Sequence, residues 1–385
     1  MRRVMGWVDD FIHRADIVLL LLCIAATLFG VVVIASATQY MGSYSDVKKQ
    51  LFALCLGILA FIVMTYLDID IIAERWELLL AFSVIFILSL KVLGSEGGSG
   101  NRSWIYVPFL HLSIQPAEIC KIPLIIILAK LMSRSQNRLS TPLTVGKLAA
   151  VTGVLAAAIV YSSSDDGLAI SYMAIFALMA LAGGVSLAWF GAGLLALGAA
   201  VPFIWQKVLD EGQKNRILIV FDPSVDPLAQ HERYQMKLCQ TALGGGQMTG
   251  QGLFRGTQTQ SGILTGQHTD YIFTVVGEEL GMIGCFCVLA LLCAIIFRCV
   301  YVGVKSGNYM NRMICLGFAG MLLFQTFINV GMCLGLVPII GLTLPFFSYG
   351  GSSIITNFLC MGIVSGICMR PAPDANVRYL RGPTL

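Results

Sequence analysis

Apolar residues in this chain neither alternate nor keep to one helical stripe. They gather into long, nearly uninterrupted runs separated by short polar stretches. A helix needs about 20 mostly apolar residues to cross a bilayer. Runs of that kind cover 17–37, 51–67, 78–94, 116–132, 148–163, 167–183, 187–206, 271–297, 313–337 and 350–369. The pattern predicts an all-α polytopic membrane protein with about ten transmembrane helices, a single integral membrane domain over residues 1–385. The basic start, MRRVMGWVDDFIHRAD, has no small-residue cleavage site after it, and the first run is too long for a signal-peptide core. That run therefore reads as a retained helix.

Lysine and arginine set the orientation. Arg2, Arg3 and Arg14 precede the first run. Lys130, Arg134, Arg138 and Lys147 mark the connection between the fourth and fifth, and Arg298, Lys305 and Arg312 that between the eighth and ninth. Arg370, Arg378 and Arg381 follow the tenth. With ten crossings all of these fall on one side, which the positive-inside rule makes cytoplasmic. Both termini are then cytoplasmic, with 370–385 as a tail. The opposite face receives 95–115, a large extracytoplasmic loop at 207–270, and 338–349. A connection of that size is a place for function, and its stretch 234–243 suits a helix lying on the membrane surface.

Composition agrees: 57% of residues are hydrophobic and 12% charged, and mean hydropathy is +0.81, too apolar for a soluble core of this length. The formal charge of +4 says little, and no basic patch is interleaved with aromatics, which argues against a nucleic-acid partner. The twelve cysteines form no CxxC pair, nearly all sit in apolar runs and only Cys239 falls clearly in a loop, so neither a disulfide framework nor a zinc site is expected.

Charges inside apolar runs are costly and mark cavities, partners or water. In GQHTDYIFTVVGEELGMIG, Asp270 stands at the mouth of the eighth run and Glu278 and Glu279 lie about two turns inside it. The two glutamates are adjacent, hence about 100° apart on a helix, and read as bracing contacts to a neighbouring helix or to the loop above. Gly277, Gly281 and Gly284 have the spacing of a close helix contact. Asp270, flanked by His268 and Thr269, is open to water and headgroups, but an Asp before an apolar run is also an ordinary helix cap. Asp165 and Asp166 suit capping equally. In QPAEICK, Glu118 and Lys121 share one helical face, either as an ion pair that fixes packing or as the polar wall of a cavity. Arg216, Arg233, Lys237 and Arg255 lie in the large loop with the glycine-rich LGGGQMTGQGLFRGTQ, whose exposed amides suit a phosphate or diphosphate. No P-loop lysine pattern is present.

Taken in order, GNRSWI, QPAEICK, FDPSVDP, GQGLFRGTQ, HTDYIFTVVGEELG and PIIGLTLPFFSYGGSS resemble the motifs of the SEDS family, the RodA/FtsW/SpoVE type of peptidoglycan glycosyltransferase, over almost the whole chain. GTQ at 256–258 and NVGM at 329–332 lean towards RodA. The resemblance implies a polymerase in the cytoplasmic membrane of a bacterium. It would join lipid II at the outer face and work with a class B penicillin-binding protein, with membrane lipids around both. It matches the family's essential aspartate to Asp270, its membrane Glu and Lys to Glu118 and Lys121, and its outer-loop arginine to Arg102. Glu278, Glu279 and His268 belong to the same motif as supporting residues. The chain departs from the family at Leu264, Thr265 and Gly266, where Leu-Pro-Glu is usual, and at SDDGL, 164–168, where Pro-Asp-Leu-Gly-Thr is usual.

The implied chemistry is one inversion at an anomeric carbon with diphosphate leaving. A glycosidase expelling a poor leaving group uses two carboxylates; with diphosphate, one base suffices. Asp270 takes that part, and Arg102, Lys121, Arg216 and Arg255 are candidates to hold the diphosphate. The chemistry also admits a divalent cation (Mg or Mn) there; no protein metal ligands are assigned. Two other functions fit the same features: a lipid II flippase, and a non-catalytic scaffold for the penicillin-binding protein.

Overall fold

A computed structural model describes residues 11, 14–95, 102–108, 112–207, 209–222 and 232–370. The chain begins with α1 (Ile17–Ala37), α2 (Ser45–Tyr66), the short α3 (Ile69–Glu74), and α4 (Trp76–Leu88) continued by α5 (Leu90–Leu93). Strands β1 (Ile105–Val107) and β2 (Leu112–Ile114) pair antiparallel, with Tyr106 opposite Ser113, so part of the first outer segment is a hairpin. Next come α6 (Pro116–Ile119), α7 (Lys121–Arg134), α8 (Pro142–Ser163), α9 (Asp166–Gly183) and α10 (Leu187–Lys207). The large loop holds α11 (Glu211–Phe221), α12 (Glu232–Gly246) and α13 (Thr257–Ser261), and α14 (Ile272–Lys305), α15 (Tyr309–Leu334) and α16 (Gly351–Met369) complete the chain. Among the described residues nine helical segments are long and apolar enough to span a membrane. One of them, α10, buries none of its residues against the rest of the chain.

The run at 116–132 is two helices instead of one. Pro116 opens α6 at a position that needs no amide donor. Pro123 has no N–H for the Ile119 carbonyl and crowds it, so the helix breaks at Cys120 and restarts as α7. The broken pair still crosses the bundle. Glu118 lines a cavity at one end, while Lys130 and Arg134 pair with Glu74 at the other. Arg298–Asp16 at 2.8 Å and Arg370–Asp68 at 3.8 Å also join segments that charge placement puts on the cytoplasmic side. The ten-crossing topology is thus read from contacts as well as from charge.

The second break is at Gly281, within α14, where φ is +66° and ψ −164°. In a continuous helix the amides of Met282 and Ile283 would donate to the carbonyls of Glu278 and Glu279. Here they donate to Gln247 and Met248 of the large loop, at 2.9 and 3.2 Å. Gln251 and Gly252 donate back to the freed carbonyls of Glu278 and Glu279, at 2.9 and 3.0 Å. The loop thus satisfies both sides of the break, which unsatisfied backbone inside a membrane protein requires. Of the three glycines with close-contact spacing, only Gly277 meets a neighbouring helix, its carbonyl lying against Gly246 of α12. Gly281 is the break itself. A Cβ there would lie 2.4 Å from the Gly250 nitrogen, at a φ that side chains avoid. Gly281→Ala should therefore destabilise the fold by about 2 kcal/mol or more, seen as a lower thermal midpoint in detergent and a smaller monodisperse fraction.

Two outer segments are more ordered than expected. The stretch 234–243 forms a helix, α12, but it packs against α14 and α15 instead of lying free on a surface. Cys239 is therefore a buried helical residue and not a loop cysteine. The segment 338–349 dips back into the bundle, burying Leu342, Leu344, Phe346 and Phe347. The Gln50 side chain holds it through the Ser348 carbonyl at 3.0 Å and the Gly350 amide at 3.2 Å.

Candidate active-site cavity

A cavity of about 750 Å³ opens where the starts of α2, α6, α9, α14 and α16 converge, at the end away from the Glu74, Asp16 and Asp68 ion pairs. Lys49, Glu118, Asp165, Arg216, His268 and Asp270 bring charge or titratable groups to its wall.

Asp270 is presented by a turn built on Gly266. That residue has φ +73°, and its carbonyl accepts from the amides of Thr269, Asp270 and Tyr271 at 3.1, 3.0 and 3.3 Å. Glycine at 266, one departure from the family pattern, suits this left-handed conformation. The cap position of α14 is Tyr271, and no side chain caps the helix. The capping alternative for Asp270 is therefore not realised. Its carboxylate lies beside Gly341, where a built Cβ would be 3.7 Å from Oδ2, and accepts no hydrogen bond from any described residue. Burial, and then the nearby Asp165 carboxylate, push its pKa up to about 6.

Asp165 does act as a cap, accepting from the Leu168 amide at 3.1 Å. Its other oxygen is 3.4 Å from both Ser103 Oγ and Gln115 Nε2, and burial raises its pKa. Asp166 accepts from Gln213 at the start of α11. His268 lines the cavity. Its ring is 5.5 Å from that of Tyr349, its carbonyl accepts from the Tyr349 amide at 2.9 Å, and burial lowers its pKa against the opposing pull of Asp46.

Glu118 and Lys121 form an ion pair at 2.7 Å. Glu118 faces the cavity at 6% exposure, and Lys121 lies behind it at 0%. Of the four cations expected around a diphosphate, only Arg216 lines the cavity; Arg102, Lys121 and Arg255 do not. Arg255 sits in the turn whose neighbouring amides bind Glu279. The second lining cation is Lys49, which nothing in the sequence singles out. It projects from the first turns of α2, 3.5 Å from Asp46.

Glu278 and Glu279 both face the loop segment 254–260, and Glu279 also reaches Ser36 of the neighbouring helix α1. Glu278 accepts from the Gln258 and Thr259 amides at 2.7 and 2.8 Å and from Thr259 Oγ1 at 2.6 Å. Glu279 accepts from the Phe254 amide at 3.1 Å, from Gln260 Nε2 at 3.1 Å and from Ser36 Oγ. The segment 254–260 wraps across both carboxylates, so their 100° separation is bridged by the loop. Glu279→Gln removes acceptors from that wrap and should destabilise the protein by about 1–3 kcal/mol, read as a lower thermal midpoint.

In a chain with nine candidate membrane spans, a carboxylate that faces a polar cavity and has no donor among the described residues marks a functional site. The family described as cell cycle protein, FtsW/RodA/SpoVE, matches residues 16–371, and the chain belongs to it. The chain is 32% identical over 367 residues to a probable peptidoglycan glycosyltransferase FtsW of Geobacter metallireducens, covering 93% of this chain and 96% of that one. It is 28% identical over 361 residues to the peptidoglycan glycosyltransferase MrdB of Escherichia coli K12, covering 93% and 94%. Among solved structures it resembles a chain of a peptidoglycan synthase complex that coordinates polymerization and crosslinking, with a TM-score of 0.77, 28% identity and coverage of 92% and 97%. It also resembles the rod shape determining protein RodA of Thermus thermophilus, with a TM-score of 0.68, 25% identity and coverage of 94% and 98%.

Proposed function

We propose that this chain is a peptidoglycan glycosyltransferase that polymerises lipid II at the outer face of a bacterial cytoplasmic membrane, with Asp270 as the general base. The observation that carries the assignment is the Asp270 carboxylate, without a donor among the described residues and facing a cavity that Lys49 and Arg216 also line. A carboxylate held near neutrality in its proton affinity takes a proton from an attacking hydroxyl more readily than an ordinary surface aspartate. The acceptor sugar's 4-hydroxyl attacks the anomeric carbon of the donor, the bond to diphosphate breaks, and Asp270 receives the hydroxyl proton. Lys49 and Arg216 balance the charge of the departing diphosphate. Glu118, backed by Lys121, forms the polar wall. A divalent cation (Mg or Mn) at the diphosphate would be held chiefly by the phosphate oxygens; among the described residues no three His, Cys, Asp or Glu side chains converge as a metal-ligand set.

The partner that fits is a class B penicillin-binding protein; the likeness to a synthase complex that couples polymerization to crosslinking supports it. The test is lipid II polymerisation by the purified chain in vesicles, with and without that partner. Glycan is the expected product. Labelled lipid crossing the vesicle without glycan would replace the reading with a flippase, and neither activity would leave a scaffold.

A further inference from the structure

The NVGM stretch of α15 places an asparagine inside an apolar helix, where a polar side chain needs partners. Asn329 is fully buried. Its Nδ2 lies 2.7 Å from the carbonyl of Asp270 and 2.7 Å from the carbonyl of Leu342. Among the described residues no backbone amide donates to either carbonyl. The orientation of the amide is forced, because turning it over would set its oxygen against two carbonyl oxygens. Its Oδ1 has no partner among the described residues, an arrangement that costs stability. The residue thus gives up one hydrogen bond while holding two backbones together. One backbone belongs to the residue read as the base. The other is next to Gly341, the wall against which that carboxylate stands.

We propose that Asn329 is the positioning residue for Asp270, clamping the aspartate's backbone to the re-entrant segment and so setting where its carboxylate stands in the cavity. The proposal rests on the reading of Asp270 as the base. A displaced reacting group of about 1 Å costs on the order of 10²-fold in rate, without a comparable effect on lipid binding at a distance. Freed from the clamp, the carboxylate moves towards the water of the cavity. Desolvation, the main cause of its raised proton affinity, is then relieved.

The experiment measures kcat and KM for lipid II across pH for the parent, Asn329→Ala, Asn329→Ser and Asp270→Asn. Asn329→Ala is expected to lower kcat by about 10–100-fold, to keep KM within about twofold, and to move the acid limb of the profile to lower pH. Asn329→Ser, which keeps one donor, shows the same changes in smaller measure, and it carries the test if the alanine variant does not accumulate. A parent-like kcat, or a lowered kcat with an unmoved acid limb, overturns the proposal. The second result would mean that Asn329 only holds the fold. Asp270→Asn at the parent rate would sink the base reading itself, whereas an inactive Asp270→Asn beside parent-like Asn329 variants sinks only the clamp.

Discussion

Asp270→Asn should lower lipid II polymerisation by about 10²–10⁴-fold, the usual contribution of a general base, while the protein stays folded. The amide is isosteric and cannot take the proton. No hydrogen bond from a described residue is lost with the charge, and α14 loses no cap, because Asp270 does not cap it. The same burial that prepares the carboxylate makes the sign of the stability effect unusual for an active-site change. A carboxyl whose folded pKa is raised to about 6 is penalised by folding in its ionised form. That penalty is fully present above about pH 6, shrinks as pH falls through that value, and is gone below the ordinary carboxylate range. Asp270→Asn removes it, so at pH 7.5 the variant should be more stable than the parent, by up to about 3 kcal/mol. At pH 4 the two should converge. Thermal midpoints at the two pH values check this, and a less stable variant at pH 7.5 would mean that Asp270 has a supporting role the geometry does not show. The parent's activity should fall on the acid side with an apparent pKa near 6, as the base becomes protonated. A limb near the ordinary aspartate value would place the carboxylate in freer contact with water.

Much of the fold was legible because hydrocarbon leaves few choices. Spanning helices need long apolar runs, and the Lys and Arg residues report which ends face the cytoplasm. Legibility stopped where backbone geometry replaced side-chain pattern. Nothing in the apolar content of 116–132 or 271–297 marks a break, although Pro123 carries the physical cause of the first. The cause of the second lies some thirty residues away, in the loop amides of Gln251 and Gly252 that take over the freed carbonyls. The re-entrant segment 338–349 had the length of a loop, and only the burial of Leu342, Leu344, Phe346 and Phe347 shows that it belongs to the core.

The site was legible in part for a similar reason. Asp270, Glu118 and Arg216 reach the cavity wall, and Glu278 and Glu279 make the loop contacts that their cost in an apolar run demanded. Lys49 was hidden because a lysine near the start of a span is commonplace, and only the fold brings it to the same cavity as Arg216. Arg102 and Arg255 stood out in the sequence where Lys49 did not, yet neither lines the cavity. Whether a cation meets the substrate is decided by tertiary placement, which a charge count does not contain.

Breaking the buried Glu118–Lys121 pair should give a large stability effect. Glu118→Gln leaves the Lys121 ammonium at 0% exposure without its carboxylate, and an uncompensated buried charge of this kind costs about 3–5 kcal/mol. Lys121→Met should cost less, because Glu118 lines the cavity and can be solvated from it. The double variant Glu118→Gln with Lys121→Met buries neither charge alone, so it should recover most of the loss, giving a coupling energy of about 2–3 kcal/mol in the cycle. Thermal midpoints of the four proteins in one detergent measure it. Additive losses would show that the two side chains act separately and that the buried pair is not the unit holding α6 against α7. Polymerisation by the double variant then separates packing from binding. Glu118 is part of the cavity wall, so a rescued fold should still show a KM for lipid II raised about tenfold, with kcat changed less, as expected when binding contacts common to ground and transition states are removed. A parent-like KM in the folded double variant would make the pair a packing device whose carboxylate only happens to face the cavity.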